Sequence, residues 1–260
     1  MRRFNPYLLS LLGLLAIIQT EAQSQPSYNA KALEEMISFN EKMKTDRLVV
    51  SINDSTIADV TYRGKANDLF LLYSITKVFS GIAVGILVDQ KMIPHPEVPV
   101  ADFFPEWKKD SLKQRITIRH ILNHTSGIGA NTGSMDIYQQ PDFVQFALNS
   151  PVISPPGEVY FYNNKAINII SGIVKKLTQK SLEEFIREFV FNSLGITNYK
   201  WRMDKAGNTW GMDGLWMNAS DLLKIGQLLC NYGNWNGQQI LSRKWCELMF
   251  QIPLVNSMNG

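Results

Sequence analysis

Cysteine is scarce in this chain: two in 260 residues, Cys230 and Cys246, both late. Each sits in an apolar helical pattern and reads as a buried free thiol. A disulfide between them is the alternative that export would permit. Histidine is as scarce. His95, His120 and His124 show no ligand spacing, so no metal is expected and no cofactor is implied. An excess of one charge is also missing. The 26 Lys and Arg and 23 Asp and Glu are mixed along the sequence, for a net charge of +3. No basic stripe marks a nucleic-acid partner. Beyond the N-terminus no segment reaches about 18 uncharged apolar residues, so no stable membrane span is expected once the leader is removed.

What is present is ordinary globular composition, 45% hydrophobic and 19% charged, enough for one large domain or two small ones. The start differs from the rest. Arg2 and Arg3 precede the apolar run "LLSLLGLLAII", and Thr20 and Ala22 stand at −3 and −1 of a cut after Ala22. Residues 1–22 therefore read as a cleavable secretory signal and 23–260 as the exported, periplasmic or extracellular domain.

Along that domain, 29–44 reads as an amphipathic helix with Leu33, Met36, Ile37 and Met43 inward. "RLVVSIND" and "STIADVTYRG" read as two strands joined at Asn53-Asp54. A helix follows Tyr73 and ends near Lys91, "ITIRHILNHTSGI" is a short helix entering a glycine turn, and 151–164 is an irregular loop. Ala166, Ile170, Ile173, Val174 and Leu177 form one helical face. Ser181 and Glu184 make a capping box, Asn218 caps a helix stopped at Gly233, and Ser242 caps a final one. Helices dominate, and the strands gather at the front.

The segment "LLYSITKVFSGIAVGILVDQ" is apolar except where Ser74 stands three residues before Lys77. Positions i and i+3 share a helix face, which places the hydroxyl and the amine within reach. A serine hydroxyl is a weak nucleophile until a base takes its proton. Lysine can be that base once burial or nearby positive charge lowers its pKa. In "FYNN", Tyr162 can share the lysine proton and Asn164 can hold the lysine or a substrate amide. Read without the other segments, the same residues are a capped helix with a solvent-facing lysine, and a turn before a helix.

"SITK", "ITIRHILNHTSG", "PPGEVYFYNN" and "GLWMNASDLLKIGQLL" together resemble, in order and spacing, the serine β-lactamase and penicillin-binding-protein superfamily. The likeness is to its β-lactamase-related branch of class C β-lactamases, DD-peptidases, esterases and amide hydrolases, and covers about residues 47–250. The resemblance implies a mixed α/β fold, an antiparallel sheet flanked by helices on both faces plus a helical region. It implies Ser74 as acylated nucleophile, Lys77 as its base, Tyr162 in proton transfer and Asn164 as the Asn of a Tyr-x-Asn motif. The Ser74 N–H would be one oxyanion donor. His124 then belongs to a structural turn and is not a triad partner. The implied partner is a small-molecule or peptide substrate: a β-lactam, a D-amino-acid peptide or a carboxylic ester. A Lys-Thr-Gly or His-x-Gly strand expected late in such chains is not reached before Gly260, and "KAG" at 205–207 precedes its proper place. A chain truncated at its C-terminus, with the last strands missing, is therefore expected. A protein that is acylated without turnover, or an inactive remnant, are the rival readings.

Overall fold

A computed structural model describes residues 27–129, 135–251 and 256–257. The signal-peptide reading lies outside these residues. Helix α1, Ala30–Lys42, begins where the Asn29 side chain accepts the Ala32 N–H. Leu33, Met36 and Ile37 are half-buried as expected, but Met43 is 62% exposed and not inward. Met43 already stands past the helix, as its C-cap. Strands β1, Arg47–Ile52, and β2, Ser55–Thr61, pair antiparallel. Asn53 and Asp54 both have positive φ, the geometry of the two-residue turn that suits the strand twist.

Strand β3, Phe70–Leu71, leads into a 3-10 turn, Tyr73–Thr76, and then α2, Lys77–Asp89. Helix α2 is apolar all round and forms the centre of the core, with Phe79 through Leu87 buried. There follow α3, Ile118–Leu122; α4, Phe143–Asn149; and, after β4, Val159–Tyr160, helix α5, Ile169–Thr178, which packs against both α2 and α4. The capping box expected at Ser181 and Glu184 opens α6, Leu182–Ile186, which runs through a π turn, 187–191, into α7, Asn192–Leu194. Phe79 meets Phe191 and Trp201 edge-on at 5.7 and 5.6 Å, the arrangement ring quadrupoles favour.

Strands do not gather only at the front. β5, Tyr199–Trp201, and β6, Leu215–Met217, form a three-stranded antiparallel sheet with β3, in the order β3-β6-β5. These strands are two or three residues long, too short for alternation to reveal them. Helix α8, Ala219–Cys230, capped by Asn218, packs on β1 and is tied to the hairpin by Gln227 and Asn231 bonds to Ser51 and Asp54. The turn at Asn236-Gly237 joins β7, Asn234–Trp235, to β8, Gln238–Gln239. Ser242 caps α9, Arg243–Met249, by accepting the Trp245 N–H. The loop read over 151–164 contributes β4, which pairs in parallel with residues 256–257.

Helix α9 lies across α2 where two glycines permit it. Trp245 Nε1 donates to the Gly81 carbonyl at 3.0 Å, and the Trp245 ring fills the space a Gly85 side chain would need. The same packing buries Cys246, a free thiol whose pKa burial raises. Cys230 is also free but exposed, contrary to its reading as a core thiol, because it ends α8 on the outer side.

Candidate active site

The sequence brings Ser74 to the surface through one strained residue. Leu72 closes the β3 edge by donating its N–H to the Leu215 carbonyl at 2.8 Å. Tyr73 then takes φ +46°, a left-handed conformation uncommon for an aromatic residue. That reversal places Ser74 exposed at the head of α2, with Lys77 half-buried one turn on. Among the described residues the Ser74 N–H meets no protein acceptor.

Lys77 Nζ donates to Ser74 Oγ at 3.1 Å and to the Met212 carbonyl at 2.7 Å. Tyr162 OH reaches the same Ser74 Oγ at 2.7 Å, and Lys77 Nζ lies 4.9 Å from the Tyr162 ring centre. Burial lowers the Lys77 pKa, while Tyr162 and Asp213 oppose the shift. The net direction makes the free amine more accessible than for a solvated lysine. Thus Ser74, Lys77 and Tyr162 are brought together.

Asn164 is not joined to them. It is exposed, its backbone carbonyl accepts from Asn168 at 2.8 Å, and its side chain bonds neither Ser74 nor Lys77. The preceding Asn163 is the buried amide of this turn. It donates to the Ile128 carbonyl at 2.7 Å and accepts the N–H groups of Lys165 and Ala166. Asn163 therefore fixes the turn that aims Tyr162.

His124 holds the same turn from the other side. Its backbone carbonyl accepts the Phe161 N–H at 2.8 Å, and its Nδ1 accepts the Asn163 N–H at 3.1 Å. These bonds flank Tyr162 in sequence. Burial, then the Lys77 charge, brings the His124 pKa down to about 4, so a neutral imidazole is the acceptor at pH 7. Among the described residues it makes no hydrogen bond to the Ser74 or Tyr162 hydroxyl, in keeping with its reading as part of a structural turn.

Two groups escaped the sequence reading. The Met212 carbonyl is presented to Lys77 because the adjacent Gly211 is pinned: its N–H donates to Asn168 Oδ1 at 2.9 Å and its carbonyl accepts from Ser80 at 3.2 Å. Asp213, next along, accepts the Tyr138 hydroxyl. Neither carries a spacing signal, since both reach the site on a loop far away in sequence. No group of His, Cys, Asp and Glu among the described residues could hold a metal ion.

A model of the Beta-lactamase family matches residues 40–256. A penicillin-binding protein of Bacillus subtilis (strain 168) is 31% identical over 141 residues, covering 51% of this chain and 30% of that protein. An esterase of Burkholderia gladioli is 26% identical over 151 residues, 51% of this chain and 38% of that protein. A solved structure described as a hydrolase with promiscuous acyltransferase activity superposes with a TM-score of 0.67 at 14% identity, covering 84% of this chain and 76% of its own. The chain belongs to the Beta-lactamase family, with the mixed α/β fold of that family. It spans about a third of the length of these two sequence relatives.

Proposed function

We propose that this protein is an exported serine hydrolase that cleaves an ester or amide through an acyl-enzyme on Ser74. The observation that carries the reading is the convergence of two proton-bearing groups, Lys77 Nζ and Tyr162 OH, on one exposed hydroxyl at 3.1 and 2.7 Å. Partly buried and held by the Met212 carbonyl, Lys77 in its neutral form takes the Ser74 proton as Oγ bonds to the substrate carbonyl carbon. The carbonyl π electrons move to oxygen, where the Ser74 N–H, without an acceptor among the described residues, is one donor for the developing charge. Collapse expels the leaving group, which receives a proton through the coupled Lys77 and Tyr162 pair. Water, deprotonated by the same pair, then releases the acid.

The relatives' names, a penicillin-binding protein and an esterase, support an acyl donor as substrate: a β-lactam, a D-amino-acid peptide or a carboxylic ester. Export rests on the Arg2-Arg3 and apolar leader pattern, and no described helix is long and apolar enough to cross a membrane. The test is covalent labelling by a serine-directed acylating probe, with the adduct located by mass spectrometry. Labelling at Ser74 that disappears in Ser74→Ala is the expected result. Retained labelling of that variant would overturn the nucleophile assignment.

A further inference from the structure

Beside the Ser74 site stands a carboxylate that the proposed chemistry does not use. Asp213 follows directly on Met212, whose carbonyl is 2.7 Å from Lys77 Nζ. It is half-buried, and among the described residues it has no ion-pair partner. Its hydrogen-bond donor among the described residues is the hydroxyl of Tyr138. Arg202 lies over the face of Trp210 at 5.5 Å, and Lys77, which feels the Asp213 charge, directs its ammonium to Ser74 Oγ and the Met212 carbonyl. The Tyr138 ring in turn leans on Trp210 at 5.3 Å, and Trp210 stacks on Phe143 at 4.9 Å.

A half-buried carboxylate with no direct ion pair is costly to leave so. Here it is held on the lip of the site by a phenol whose ring belongs to an aromatic wall. A carboxylate set against aromatic faces is the arrangement that recognises an ammonium group. We infer that Asp213, fixed by Tyr138 beside Trp210, binds a cationic group of the substrate, so that the preferred acyl donor carries an ammonium close to its scissile ester or amide. This rests on the proposed acylation of Ser74 and adds to it the charge of the substrate.

Permanently charged thioesters separate this from the titration of Lys77. Acylation of the full chain by acetylthiocholine is compared with its neutral isostere, 3,3-dimethylbutyl thioacetate. A second pair carries the trimethylammonium group on the acyl side, against its tert-butyl analogue. In at least one pair the cationic donor is expected to acylate about tenfold faster, the scale of one partly desolvated charge contact. That ratio should fall to near one in Asp213→Asn and invert in Asp213→Lys. Equal rates within both pairs, or a ratio that survives Asp213→Asn, would overturn the inference while leaving Ser74 as nucleophile. If no ester acylates Ser74, the hydrolase reading itself fails. Binding of choline against 3,3-dimethylbutanol, followed by tryptophan fluorescence, then decides the cation site separately. Preference for choline, lost in Asp213→Asn, supports it, and no preference rejects it.

Discussion

The imidazole of His124 lies 4.6 Å from the ring of Tyr162, inclined by 33°, and packs on it with no hydrogen bond to its hydroxyl among the described residues. The hydroxyl is left to Ser74 and the imidazole to the backbone. Support and the proposed chemistry thereby fall to different residues, and each can be tested alone.

His124 makes stability depend on pH. Its folded pKa of about 4 lies below the ordinary 6.5, so the fold keeps it neutral while the unfolded chain protonates it. The contribution is complete above pH 6.5, falls as pH drops through that value towards 4, and is gone below 4. The gap is worth roughly 3 kcal/mol. Urea unfolding at pH 7 and pH 4 should show the wild type losing more than His124→Gln by about that amount. Equal losses would show that His124 is not held neutral.

Tyr162→Phe removes the hydroxyl but keeps the ring on His124 and under Lys77. Among the described residues the hydroxyl is engaged at the site alone, with Ser74 Oγ and Lys77, so stability should stay within about 0.5 kcal/mol. The rate of Ser74 acylation should fall by roughly a hundredfold or more. An unchanged labelling rate would remove Tyr162 from proton transfer.

In the proposed mechanism Lys77 sets the pH dependence of acylation. Burial holds its pKa below the ordinary lysine value, so labelling of Ser74 should rise with pH and reach half its maximum below pH 10.5. Asp213 opposes the shift, so Asp213→Asn should move the midpoint lower still. Lys77→Arg should lose labelling at every pH, because a guanidinium stays protonated. A midpoint at or above 10.5 would show that Lys77 is not the base.

Two glycines on helices should respond oppositely to alanine. At Gly85 a Cβ would stand 2.3 Å from Trp245 Cδ1 and 2.6 Å from Leu241 Cδ1. The overpacking costs about 1–3 kcal/mol, more than the helical gain of roughly 0.5–1 kcal/mol from replacing glycine. At Gly226, on α8, nothing lies within 4 Å, so only the gain remains. Thermal unfolding should therefore show Gly85→Ala below and Gly226→Ala above the wild type. A stabilised Gly85→Ala would mean that α9 does not sit tightly on α2.

Local rules made part of this molecule legible before any coordinates. The i, i+3 spacing put Ser74 and Lys77 on one face, and the 3-10 turn that leads into α2 keeps their heads within 3.1 Å. The Ser181, Asn218 and Ser242 caps and the Asn53-Asp54 turn were readable because each is decided by bonds within about four residues. The short β3, β5 and β6 strands were not, since pairing and not alternation defines them. Asn163 and Asn164 were indistinguishable by type, and only packing against Ile128 decided which is buried. Cys230 and Cys246 share an apolar pattern, yet the outer end of α8 exposes one and the α2 contact buries the other. Residue order and helical spacing set a serine and a lysine one turn apart at the head of a core helix. Tertiary structure alone brought Tyr162 across 88 residues and the Met212 carbonyl across 135. Contacts of that separation depend on how the whole core packs, which no local pattern of residues encodes.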